Sequence, residues 1–148
     1  MTSVLYERDF YAWANEQAEL LRSGQLAQAD IEHIAEEIEN LGRAEKRELR
    51  NLFAELLLHL LKWQFQPGRR SPSWKAAIRI KRRNLIDHMT DNPSLCAVLP
   101  QVIERAYGTA VIEAVAETGL PEITFSVTCP WLPGRVLDED FWPEATEL

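Results

Sequence analysis

His33, Glu36 and Glu37 stand at i, i+3 and i+4, the spacing at which side chains share one side of a helix. Glu55 and His59, one helical turn apart, make a second carboxylate–imidazole pair. Two helices that carry Glu and His inward can hold a metal ion, as carboxylate-bridged bundles do. Those bundles use Glu-x-x-His twice, and that spacing never occurs in this chain. The plainer reading is a solvated acidic helix start. No cofactor is implied by any of these residues.

A different chemistry is offered by Arg69, Arg70, Lys75, Arg79, Lys81, Arg82 and Arg83. Basic side chains gathered with a loop and Trp74 are the ingredients of a footprint on a phosphate backbone, so nucleic-acid binding is one expected function. Acidic segments on both sides oppose it, and Trp74 falls on an apolar stripe where it is packed and not free to stack on bases. The same arginines can serve the fold. Glu45 and His59 point into the apolar face of their helix, and Arg79 and Arg83 share one face of the next. The favoured expectation is therefore an internal polar layer of Glu45, His59, Arg79 and Arg83 that fixes helix register.

Catalytic motifs are missing: there is no glycine-rich phosphate loop, no nucleophile elbow and no His-Glu-x-x-His. Cys96 and Cys129 form no metal-type pair and read as thiols, Cys96 being flanked by Leu95 and Ala97 as a buried residue would be.

The elements that must position these residues are helical. Between Glu7 and Arg22, Phe10, Trp13, Ala14, Leu20 and Leu21 share one face, and Ser23-Gly24 ends the helix. Asp30 is the expected N-cap of the next one. From there Ile31, Ile34, Ile38, Leu41, Leu49, Leu52, Leu56 and Leu60 keep a stripe to about Phe65, where Gln66-Pro67-Gly68 stops it. Such a helix is about 50 Å long. Glu45 interrupts the stripe, so either the helix bends near Gly42 or Glu45 is buried against a cation. Nothing from Leu41 to Lys46 resembles a turn, and a continuous helix is expected. Ser71-Pro72 opens a further helix with Trp74, Ile78, Leu85 and Met89 on its core side. Asp91-Asn92-Pro93-Ser94 is the next boundary, and a last helix runs to about Thr118 with Pro100 either kinking it or setting off a short first piece. Four prolines after residue 118 mark a tail, with Ile123–Val127 a short extended piece and Trp131, Phe141 and Trp142 pinning it.

The expected fold is thus all-α: an antiparallel bundle of about four helices including one long one, with a proline-rich extended C-terminal tail. Residues 1–148 read as one domain, helical over 5–118 and closed by the tail 119–148. A chain of 148 residues with 46% hydrophobic and 26% charged side chains has globular proportions. No run approaches the roughly 18 apolar residues of a membrane span, and the charged N-terminus is unlike a secretion signal, so a cytoplasmic location without a membrane partner is expected.

The formal net charge of −7 is strongly partitioned. Residues 1–42 carry 2 basic and 9 acidic side chains, residues 43–83 carry 12 and 3, and residues 84–148 carry 2 and 11. Such alternation predicts charge pairing inside the bundle or a basic surface for an anionic partner.

Several blocks resemble a known family. Tyr6-Glu7-Arg8-Asp9-Phe10-Tyr11-Ala12-Trp13, Glu36-Glu37-Ile38-Glu39-Asn40-Leu41-Gly42 and His59-Leu60-Leu61-Lys62-Trp63-Gln64-Phe65-Gln66-Pro67 resemble the bacterial domain-of-unknown-function family twenty-nine. So do Ser73-Trp74, Asn92-Pro93-Ser94-Leu95, Glu117-Thr118-Gly119-Leu120-Pro121 and Leu137-Asp138-Glu139-Asp140-Phe141-Trp142-Pro143. Ser126 departs from the pattern, which has proline after Phe125. The resemblance implies a compact helical bacterial protein and assigns no activity. The function expected is a protein-interaction or self-association module, a homo-oligomer through the exposed length of the long helix. Nucleic-acid binding and a metal-binding bundle are the alternatives.

Overall fold

A computed structural model describes residues 2–146 of the chain. Helices are α1 (Thr2–Arg8), α2 (Phe10–Arg22), α3 (Ile31–Phe65), α4 (Pro72–Asp91), α5 (Leu99–Thr118) and the short α6 (Pro133–Leu137). No strand occurs among the described residues, so the fold is all-α. The chain divides into two compact units, Met1–Ala44 and Glu45–Leu148, where the sequence reads as one domain. The division falls inside α3, which is why no linker composition marks it.

Unit 1 holds α1, α2 and the start of α3. The helix expected from Glu7 is two helices, because Asp9 leaves the helical region and caps α2, accepting the Ala12 N–H at 3.0 Å. The chain then turns through Gly24 at φ +75°, as Ser23-Gly24 implied. Asp30 caps α3 by accepting the His33 N–H at 3.4 Å. Trp13, 3% exposed, is the one buried apolar side chain among the described residues of this unit. Beside it Gln17 is buried, and its Oε1 accepts the Asp30 N–H at 2.7 Å.

α3 is one unbroken helix of 35 residues. The helix runs through Gly42 without a break, and every residue from Ile38 to Glu48 is exposed. Glu45 is not buried against a cation: its side chain is half-exposed, with His88 of α4 beside it.

Unit 2 contains the core. Leu49, Phe53, Leu56, Leu57, Leu60 and Leu61 of α3 meet Ile78 and Leu85 of α4 and Val102, Ile103, Ala106, Tyr107, Ala110 and Ala114 of α5. Ser71 caps α4 through the Trp74 N–H, and Pro72 occupies its first turn, as read from the sequence. Pro100 likewise sits in the first turn of α5, preceded by a 3-10 stretch, Pro93–Val98. Gly119 ends α5 in the left-handed region at φ +72°. The segment Pro93–Thr118 has the length and apolar content of a membrane-crossing helix. Seven residues of α5 are buried in unit 2, while Ile112 is exposed.

After Gly119 the chain is irregular. Glu122–Thr124 is a 3-10 turn in place of the expected extended piece, and Ile123 and Val127 are exposed. Phe125 and Val136 are buried in the core, and Trp142 lies against Trp63 with centroids 4.7 Å apart. At the family departure, the Tyr107 hydroxyl donates to the Ser126 carbonyl oxygen at 2.8 Å and lies 3.1 Å from its Oγ.

Candidate functional site

Two groups of polar side chains are assembled, one in each unit. In unit 1, capping puts Asp30 one turn before His33, so the carboxylate that ends the loop also receives the imidazole: Asp30 Oδ2 lies 2.7 Å from His33 Nδ1 and 3.2 Å from Trp13 Nε1. Tyr6 from α1 stacks on His33 at 4.0 Å between centroids and donates its hydroxyl to Glu37 Oε1. Charge follows the bonds. The Asp30 hydrogen bond raises the His33 pKa above its ordinary 6.5 against an opposing effect of burial. Burial pushes the Asp30 carboxyl up, but the bonds from His33 and Trp13 outweigh it and hold the carboxyl below 3.8. The acceptor Glu37 and partial burial push the Tyr6 phenol up to about 12. Asp30, His33, Tyr6 and Glu37 therefore engage one another, and the cluster fastens α1 and α2 to the start of α3.

This arrangement differs from the alternative of a metal-ligand set. His33 is engaged by Asp30 and Glu37 by Tyr6, while Glu36 is exposed. Glu55 pairs with Lys81 at 3.0 Å, and His59 Nδ1 lies 2.9 Å from the Glu55 carbonyl oxygen. No group of three or more His, Cys, Asp or Glu that could hold a metal ion occurs among the described residues. The two imidazoles are satisfied within their own turn of helix, His33 at i−3 and His59 at i−4, while Glu37 and Glu55 are taken by Tyr6 and Lys81 from other helices.

In unit 2 the basic block is divided between two tasks. Lys81 goes to Glu55 and Lys62 to Glu117, at 3.0 and 3.4 Å. Arg70 donates Nε to the Trp63 carbonyl oxygen at 2.9 Å and Nη2 to that of Pro143 at 3.4 Å, with its guanidinium 4.6 Å from the Trp63 ring centroid. Arg82 is 1% exposed. Its Nε donates to the Val136 carbonyl oxygen at 2.8 Å and its Nη2 to that of Phe141 at 2.6 Å, 5.5 Å from the Trp142 ring. Burial lowers its pKa, and the nearby charges of Asp138 and Glu139 counter that effect. Lys75 approaches the same ring, 5.6 Å from the Trp142 centroid. Arg70 and Arg82 thus hold the chain after α5 in place. Arg69, Lys75, Arg79 and Arg83 remain exposed.

The expected polar layer does not form. Glu45 has a side chain 52% exposed and reaches His88, whose Nε2 lies 3.6 Å from its carboxylate and 2.9 Å from its carbonyl oxygen. Arg79 and Arg83 are exposed and make no ion pair among the described residues. His59 is half-buried and bonded to its own helix, and burial lowers its pKa below the ordinary value. Charge pairing was expected to neutralise the arginines. Arg70 and Arg82 are instead hydrogen-bonded to main-chain carbonyls and stacked on indole faces, because Arg can satisfy its planar fork on neutral oxygens and stack at the same time. Cys96 is exposed, not buried, since its 3-10 stretch lies on the surface.

Sequence reading missed Tyr6, Asp30 and Trp13 as partners of His33, although Asp30 at i−3 was a legible signal. It also missed the carbonyls of Val136 and Phe141, for which no sequence signal exists. The model of the family described as Domain of unknown function DUF29 matches residues 5–142. Neither the curated proteins nor the solved structures contain a match. An unbroken match over nearly the whole chain, on an all-helical fold, places this protein in the DUF29 family.

Proposed function

We propose that the chain is a self-association module whose unit 1 docks on a second copy. The observation that carries this reading is the poverty of unit 1's own core: Trp13 is buried, while Phe10, Tyr11, Leu26, Ile31, Ile38 and Leu41 are exposed. On α3, Ile31, Ile34, Ile38 and Leu41 fall within an arc of about 80° at 100° per residue, and Ile38 and Leu41 are 63% and 69% exposed. A contiguous apolar face of this kind on a small unit marks an interaction surface. Charge argues for a second copy as the occupant. Residues 1–42 hold 2 basic and 9 acidic side chains, and the segment 43–83 has 12 basic and 3 acidic, with Lys46, Arg47, Arg69 and Lys75 exposed. Two copies can exchange these surfaces reciprocally about a two-fold axis.

Sedimentation of the full chain across a concentration series tests the reading. The wild type forms a dimer that weakens as salt rises, and the double variant Ile38→Glu/Leu41→Glu is monomeric with an unchanged far-UV spectrum. A wild type that stays monomeric at low salt throughout the series overturns it.

A further inference from the structure

Beside α4 lies an open cavity of about 260 Å³ lined by Ala76, Arg79, Ile80, Arg82, Arg83 and Glu139. Arg82 is the unusual member. Its Nε and Nη2 edge is engaged by two carbonyl oxygens, and its Nη1 is a buried donor with no hydrogen-bond partner among the described residues. A buried guanidinium N–H left without an acceptor is uncommon, because it forfeits its hydration with no compensation. Arg79 and Arg83, at i and i+4 on the same helix, bring two further guanidiniums to the same lining. Neither is engaged by a carboxylate within ion-pair distance among the described residues.

We propose that this cavity binds a phosphate dianion, free or as the terminal group of a small monoester. Three guanidiniums and the Glu139 carboxylate leave two net positive charges at the lining, against a charge of about −1.5 to −2 on a phosphate monoester at neutral pH. The volume lies just below the ordinary range for small-molecule sites, roughly 300–1,000 Å³, and suits a ligand of few atoms. Arg82 is held in place by Val136 and Phe141 before any ligand arrives, and its buried Nη1 is the one donor of that guanidinium edge left for an acceptor that displaces its neighbours. Arg79 and Arg83 close on the other oxygens through forked hydrogen bonds. Glu139 opposes the anion, and a group that carries its own hydroxyl donor, as a monoester of a polyol does, meets that carboxylate favourably.

The test uses the full chain and four probes at equal ionic strength: inorganic phosphate, phenyl phosphate, sodium chloride and an oligonucleotide with hydroxyl ends. The readouts are calorimetric binding and the side-chain 15N resonances of Arg82. Phosphate or phenyl phosphate shifts the Arg82 resonances saturably, and chloride does not. A stronger response to phenyl phosphate identifies the monoester as the source, and a stronger response to inorganic phosphate identifies the free ion. Arg79→Gln/Arg83→Gln, both exposed positions, keeps the wild-type melting temperature and weakens binding at least tenfold. Glu139→Gln tightens it. The proposal is overturned if neither phosphate moves the Arg82 resonances at millimolar concentration, if the double variant binds as well as wild type, or if only the oligonucleotide binds.

Discussion

Replacing Arg82 with methionine removes the guanidinium that joins α4 to the chain after α5, while keeping an unbranched side chain of similar reach. Two hydrogen bonds are lost, Nε to Val136 at 2.8 Å and Nη2 to Phe141 at 2.6 Å. A hydrogen bond from a charged donor contributes about 1.5–3 kcal/mol, which sets an upper range of about 3–6 kcal/mol for the two. Against this stands the desolvation of a fully buried guanidinium, whose Nη1 finds no partner, and that relief returns part of the loss. Val136 itself is buried, so its carbonyl oxygen is left without a donor and without water. The expected net destabilisation is about 2–4 kcal/mol. Urea denaturation of the two proteins measures it, and hydrogen exchange locates it: amides of residues 133–142 lose protection first, while α3 and α5 keep theirs. Arg82→Lys retains the charge and forms at most one of the two bonds in the same geometry, so it falls between. A methionine variant within about 0.5 kcal/mol of wild type, a change typical of uncritical surface sites, with unaltered exchange at 133–142, refutes the reasoning.

Other outcomes follow from the same structure. His33 titrates above 6.5, so its bond to Asp30 contributes stability fully below 6.5 and loses it as pH rises through the folded value; NMR titration of the imidazole, with Asp30→Asn returning it toward 6.5, checks this. Asp30, held below 3.8, contributes above 3.8 and loses that contribution as pH falls through its folded value, which acid unfolding of unit 1 detects. Tyr6 ionises near pH 12, and Tyr6→Phe deletes that step from an alkaline absorbance titration. Gly119→Ala forces a Cβ into φ +72° with no neighbour within 4 Å to clash, so the loss is backbone strain alone, about 1–2 kcal/mol by thermal melting.

Much of the local structure was legible in single residues. Asp30, Ser71, Gly24 and Gly119 act where their chemistry says they should, because a cap or a left-handed turn is settled by the few atoms around it. The run from Ile31 to Phe65 is helical throughout for a similar reason: nothing in it breaks the local hydrogen-bond ladder. The break at Asp9 was equally local and was passed over, since the apolar spacing runs on through it.

Periodicity, by contrast, says which face is apolar and not whether anything covers it. The stripe of α3 is one pattern in sequence, yet Leu49, Leu56 and Leu60 are buried and Ile38 and Leu41 are open to solvent. The same limit explains Glu45, which sits on that stripe and is exposed, and Cys96, which has apolar neighbours and lies at the surface. Charge counts showed that the basic block needed partners but could not name them. Carbonyl oxygens belong to every residue alike, so the bonds from Arg82 to Val136 and Phe141, 54 and 59 positions away, leave no trace in residue type. By itself the sequence determined the helices, their caps and the charge partition, all consequences of neighbours along the chain. Tertiary structure alone decided which arginines hold the fold and which line a cavity, because that depends on where distant main chain comes to rest.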